Sequence, residues 1–253
     1  MSSPSPKSPR TWSRRDWLAT SAACVGAPVI AGLTACANPP ALVPAPDGTT
    51  ITPLAAGRQL RYRVTNLYNG LDVGEAAYRV ASAPANGPGR TLEVSLPSSN
   101  TYRVDEPART GSCVLADSTH VSQELFYDVP YAFEHPDPLT PDALGTGSST
   151  VLYNRYRRGD SPYWLRWDSR VEGLGWERIV VPAGEFLALR VHRTLWFERR
   201  DMVHQGNTRD ELLWFAPALG FWVRREWSGY FFSPDAPFQR EEEDWVRFEL
   251  TQA

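Results

Sequence analysis

The chain has 253 residues, is 42% hydrophobic and 12% aromatic, and carries a formal net charge of −3. That composition excludes a disordered or fibrous polymer and fits a packed globule. The first 35 residues hold four cations (Lys7, Arg10, Arg14, Arg15) and one acid (Asp16), so the remaining 218 residues are net −6, which excludes nucleic acid and anionic lipid headgroups as general partners.

Arg14 and Arg15 are followed by Asp16, Trp17 and Leu18, and no charged residue occurs from Trp17 to Cys36. A basic segment, a modest apolar stretch broken by Gly26, Pro28 and Gly32, and a small-residue processing site have the layout of a secretory signal. The Ser13–Leu18 segment resembles a twin-arginine export motif, and Leu33-Thr34-Ala35-Cys36 resembles a lipobox. The resemblance implies cleavage before Cys36 and acylation of its thiol and new amine, mooring the mature chain to a membrane. Ala37 after the cysteine implies the outer membrane, with the protein facing the periplasm. Two other outcomes stay open. Cleavage after Ala37 would release a soluble periplasmic protein, and an uncut segment would serve as a single membrane anchor.

Three regions are therefore expected: a signal peptide at 1–35, a proline-rich tether at 36–57, and one β-rich domain at 58–253. The tether holds Pro39, Pro40, Pro44, Pro46 and Pro53 and reads as a semi-extended spacer. A domain of this length buries ~70% of its unfolded surface, so it needs neither a disulfide nor a metal to fold. Beyond Cys24 and Cys36 only Cys113 remains, and it reads as a small buried hydrophobe.

From Leu60 the pattern has a period of two, the mark of half-buried strands. Leu60, Tyr62 and Val64 alternate with Arg61, Arg63 and Thr65, and Asn69-Gly70 signals a hairpin. Further strands are predicted over 73–80, 92–96, 121–127, 151–157, 163–171, 176–181, 186–198, 212–215, 221–230 and 245–250. A short helix could form near 138–144. On 186–198 large apolar residues stand on both faces. The fold class expected is mainly β, a large antiparallel curved sheet or half-barrel, with a β-sandwich as the alternative.

Two stretches in the C-terminal half carry a second resemblance. Gly175 to Phe186, with Val181-Pro182-Ala183-Gly184, and Leu213 to Glu226, with Trp214-Phe215-Ala216-Pro217 and Gly220, resemble hairpins of uncharacterised bacterial envelope proteins. Those proteins are similar to the half-barrel periplasmic lipoprotein-localisation factors. The resemblance implies a concave sheet that holds an apolar ligand or faces a partner protein, and it assigns no catalytic residue.

No chemistry-bearing motif emerges from the rest. The histidines His120, His135, His192 and His204 lack metal-ligand spacing, and no Gly-x-Ser-x-Gly elbow or phosphate loop occurs. Asp210-Glu211 reads as strand-end surface charge. Glu241 to Asp244 reads as a solvated strand entry facing nearby arginines. The expectation is a non-enzymatic protein with no metal or cofactor, moored through Cys36 after Arg14-Arg15 export. Trp167, Trp176, Trp196, Trp214 and Trp222 are the candidate aromatics of its groove, weighed against a plain core role. The alternatives are an envelope scaffold contacting another protein, and a hydrolase-type enzyme without a recognisable motif.

Overall fold

The computed structural model describes residues 41–82, 89–98, 108–126, 129–198, 206–232, 239–243 and 245–253. Arg14, Arg15, Cys36 and His204 lie outside them. Thirteen strands run through the described residues. They are β1 (Gln59–Asn66), β2 (Asp72–Ser82), β3 (Arg90–Leu96), β4 (Arg109–Leu115), β5 (His120–Phe126) and β6 (Val129–Pro138). Then come β7 (Ser149–Arg158), β8 (Trp164–Val181), β9 (Gly184–Glu198), β10 (Gly206–Ala216), β11 (Phe221–Phe232), β12 (Arg240–Glu242) and β13 (Val246–Gln252).

Each strand from β1 to β11 pairs antiparallel with the next, β13 pairs with both β11 and β1, and the circuit closes. β12 and β13 occupy successive stretches of the same β11 edge, Tyr230–Phe232 and Arg224–Trp227, as one interrupted stave. The sheet is thus a closed antiparallel barrel of twelve staves. The expected mainly β antiparallel sheet is present, and it curves beyond a half-barrel into complete closure, with β6 and β7 joined by a short ladder of three residue pairs.

Period-two alternation builds the wall. On β1 the buried residues are Leu60, Tyr62, Val64 and Asn66, and Arg61 and Arg63 point outward to Glu75 and Glu249. Arg79–Glu93 and Arg155–Glu134 continue the same outer pattern. A bilayer-facing barrel would need an apolar outer band, where each arginine near the midplane costs ~2–4 kcal/mol. On these strands the ion pairs face out and the hydrocarbon faces in.

Twelve staves enclose more space than aliphatic side chains fill, and aromatic rings take it up. Trp167, fully buried, packs against Phe126, Tyr131, Phe133, Tyr156 and Phe197 on the β5–β9 side. Trp222 packs against Tyr62, Tyr78 and Phe248 on the opposite side. Cys113 is buried as expected, and burial pushes its thiol pKa up, which keeps it protonated.

Several elements differ from expectation. The two strands anticipated at 163–171 and 176–181 are the single β8, because Gly173 and Gly175 form a bulge instead of a turn. β4 has small inward residues, Gly111 and Cys113, and so lacks an apolar stripe. Leu125 fills the space over Gly111, where an added Cβ would come within 2.8 Å of it. β6 contains Pro130, Pro136 and Pro138, which argue against a strand. Next to Pro136 the Asn154 side chain replaces the missing ladder, accepting from His135 N–H at 3.1 Å and donating to His135 C=O at 2.7 Å. Residues 139–144 form bends instead of a helix. Pro141 lies among them, and a residue before proline avoids the helical region.

The described part of the expected tether, 41–57, is packed on the barrel. Val43 N–H donates to Trp176 C=O on the β8 edge, beyond the point where β7 pairing stops. Thr52 N–H donates to Pro217 C=O in the β10–β11 hairpin, and Leu54 is 2% exposed. Gly220 permits this crossing. Its φ is 75°, and an added Cβ would stand 1.8 Å from the Thr52 carbonyl oxygen. One end of the barrel is sealed in this way.

Candidate functional site

Halfway along the barrel the inward positions become charged. Arg193 on β9 stands in line with Val191 and Leu195, and Arg209 and Glu211 on β10 share the face of Leu213. Arg225 on β11, Glu124 on β5, Asp137 near the end of β6 and Glu243 beside β12 complete the set. None of the seven is more than 8% exposed.

They satisfy one another. Arg193 donates to Asp137, and to Glu211 at 2.8 Å. Arg225 donates to Glu124 at 2.6 Å and to Glu211 at 2.9 Å. Arg209 donates from Nε to Glu243 at 2.9 Å and lies 3.5 Å from Glu211. The Ser169 hydroxyl donates to Asp137 at 2.8 Å. The network therefore ties β5 and β6 to β9, β10 and β11 across the lumen. Removing one member of such a buried set costs ~3–5 kcal/mol, because its partner is left charged and unpaired.

The acids in it differ. Burial would raise the Glu211 pKa, but Arg225, Arg193 and Arg209 outweigh burial and hold it at about 2, below its usual 4.5. Asp137 is fully buried, and burial raises its pKa above the usual 3.8 despite Arg193 and Ser169. Four carboxylates share three guanidiniums, so one negative charge is in excess. Asp137 and Glu243 each meet a single arginine, and Asp137 is the more deeply buried of the two, so the shortfall falls there.

Between the network and the end of the barrel where β1 finishes, the lumen is open. This cavity has a volume of about 640 Å³, within the range of small-molecule sites. Val64, Val73, Leu96, Trp227, Phe231 and Phe248 supply apolar wall. Tyr78, Glu124 and Arg225 contribute its polar lining on the network side, and Arg209 stacks over Phe126 at 3.8 Å beside them. At the mouth, Glu241 on β12 lies directly across from Phe231.

None of the five tryptophans anticipated for a groove belongs to this lining. Trp167, Trp176 and Trp222 are fully buried filling. Trp214 is buried on β10, where its indole N–H donates to Glu177. Trp196 is 42% exposed, because its register pairs it with Asp168 and Thr208 on the outer wall. The tryptophan that does line the cavity is Trp227. Strand membership alone did not distinguish these positions, and the bulges in β8 and β11 shift the inward phase along each strand. Glu211 is also corrected: Asp210 is exposed and meets His192 at 3.1 Å, but Glu211 is fully buried. Of the 241–244 acids, expected to be solvated, Glu243 is instead buried, and it meets a nearby arginine, Arg209. Among the described residues no three His, Cys, Asp or Glu side chains gather as a metal site.

Fold and cavity define a class: a closed antiparallel barrel, sealed at one end and open at the other onto an apolar chamber lined in part by a buried ion network. No protein-family model matches the chain, and no curated protein matches it. Two solved structures are similar to it. An exported protein of YmcC-like fold from Bacteroides fragilis shares 15% identity over 81% of this chain and 98% of its own, with a TM-score of 0.47. A protein described as a lipoprotein, from Parabacteroides distasonis, shares 11% identity over 82% of this chain and 99% of its own, with a TM-score of 0.43.

Proposed function

We propose that this chain is an envelope lipoprotein without enzymatic activity, exported through Arg14-Arg15 and moored through Cys36, whose barrel holds an amphipathic ligand in its open end. The observation that carries the ligand reading is the 640 Å³ chamber in a barrel otherwise filled by large side chains. Twelve staves could have been packed shut by more rings, as they are around Trp167 and Trp222. The apolar wall suits a hydrocarbon body, and the charged groups limit how deep that body goes.

Two measurements test the two halves of the proposal. Mass analysis of the mature N-terminus should find an acylated Cys36, and Cys36→Ser should release the protein from membranes. An unchanged fractionation of Cys36→Ser contradicts the mooring. Titration with N-phenylnaphthylamine should show saturable one-to-one fluorescence enhancement; absence of saturation contradicts the chamber.

A specific observation favours a second reading, a scaffold for another envelope protein. Val151, Tyr153 and Trp196 stand together on the outer wall of β7–β9 at 52%, 75% and 42% exposure. Tyr153→Ser with Trp196→Ser should abolish a crosslinked partner if this wall is a contact face, and should leave probe binding intact.

A further inference from the structure

Three polar side chains stand where the chamber meets the network: Tyr78, Glu124 and Arg225. Two of them are committed. Arg225 donates to Glu124 at 2.6 Å and to Glu211 at 2.9 Å. The atoms this leaves without a hydrogen bond, Glu124 Oε2 and Arg225 Nε, are fully enclosed by their neighbours.

Tyr78 on β2 is different. It points inward in register with Leu60 and Val94, sets its ring edge-on to Tyr62 and Trp222, and is 8% exposed. Its hydroxyl makes no hydrogen bond among the described residues, and its oxygen, unlike the two atoms above, is not enclosed, so what it meets is the chamber. A buried hydroxyl without a partner costs free energy. Other inward tyrosines avoid that cost: Tyr62 donates to the Trp222 carbonyl at 2.9 Å, and Tyr156 to the Glu198 carbonyl at 2.6 Å. Burial raises the Tyr78 pKa, so the group stays a neutral hydroxyl able to donate. A charged ligand end arriving beside it would lose its hydration and find Arg225 and Glu124 already paired. An uncharged oxygen needs only the donor that Tyr78 offers.

We infer that the ligand turns an uncharged oxygen, the hydroxyl or carbonyl of an otherwise apolar molecule, toward the inner end of the chamber, where it accepts a hydrogen bond from the Tyr78 hydroxyl. Its hydrocarbon then lies along Val64, Leu96 and Phe248. This deepens the proposed ligand role and rests on it.

The test is competitive displacement of N-phenylnaphthylamine from the whole protein by five probes of equal chain length: octanol, 2-octanone, 1-chlorooctane, octanoate and octylammonium. Tyr78→Phe keeps the ring and should weaken octanol and 2-octanone about fivefold, with 1-chlorooctane unchanged. Octanoate and octylammonium should bind the parent at least tenfold more weakly than octanol. The melting temperature of bare Tyr78→Phe should match the parent, and Tyr62→Phe, which loses its bond to Trp222, should melt lower. Unchanged octanol and 2-octanone affinities in Tyr78→Phe, or an equal loss for 1-chlorooctane, overturn the inference and leave the chamber standing as a ligand site. A charged probe that binds as tightly as octanol overturns the uncharged end. A Tyr78→Phe variant that melts as low as Tyr62→Phe shows the hydroxyl bonded within the chain and also overturns the inference. Failure of every probe, the dye included, to bind removes the ligand role itself.

Discussion

The two ends of this barrel are made of the same strands and solve opposite problems. At the sealed end Leu54 and Trp222 fill the space between staves, Pro217–Gly220 turns tightly, and residues 41–57 cross over the hairpin through Thr52. At the open end similar staves carry Val64, Val73 and Leu96, which are too small to meet across the lumen. Between the two lies the arginine–carboxylate network. The difference teaches that closure of a twelve-stave sheet does not dictate a filled interior. Local side-chain volume decides, and the buried charges mark the border between filled and empty. Changes at the sealed end and in the network should therefore cost stability, and changes at the open end should cost binding.

The largest effect is expected from Glu211→Gln. It removes the carboxylate that three arginines share, and should lower unfolding free energy by ~3–5 kcal/mol in urea titrations. At the sealed end, Leu54→Ala should cost ~2–4 kcal/mol by the same measurement, since the buried side chain leaves a cavity. Gly220→Ala should cost ~1–3 kcal/mol through its positive φ and should detach the crossing segment. Hydrogen exchange at the Thr52 amide, bonded to Pro217, would speed up first. A Leu54→Ala variant as stable as the parent would break the contrast between the ends.

The two acids on Arg193 sharpen the contrast within the network. Asp137→Asn relieves the excess charge, keeps one oxygen to accept from Arg193 and turns an amide N–H toward the Ser169 hydroxyl, which can accept it, and should cost less than ~1 kcal/mol, against several for Glu211→Gln. Their pH signatures are opposite. Glu211 has a depressed folded pKa, so its contribution is present above pH 4.5 and is lost as pH falls toward about 2. Asp137 has a raised folded pKa, so its contribution is present below pH 3.8 and is lost as pH rises through its folded value. Urea titrations over a pH series should show stability climbing from about pH 2 toward 4.5, opposed above pH 3.8 by a decline that Asp137→Asn removes. The smallest effect is expected outside: Trp196→Ala on the exposed wall should stay within ~0.5 kcal/mol.

Much of the wall was legible in the sequence because its signal is local. Alternation at Leu60–Asn66 and the Pro182–Gly184 and Pro217–Gly220 turns each sit within a few residues. β4 and β6 were not legible, since Gly111 needs Leu125 from another strand and the prolines of β6 need Asn154. The chamber was harder still. Which of ten tryptophans faces an empty lumen depends on bulges and on residues from opposite walls. The network did leave a trace: Arg193, Arg209, Glu211 and Arg225 share strand faces with hydrophobic residues, including Val191, Leu195 and Leu213. A charge at an inward phase cannot stay unpaired, so four such positions on three consecutive strands point to one another.

The central claim is that the open end is occupied in the cell by an amphipathic molecule and the sealed end by none. Native mass spectrometry of protein released gently from its own envelope tests it directly, beside a Val73→Trp variant that puts a bulky ring into the chamber. The account predicts one adduct of defined mass on the parent and its loss from Val73→Trp, with the melting temperature of the bare variant unchanged. A parent that emerges bare, or an adduct that survives in Val73→Trp, would contradict it.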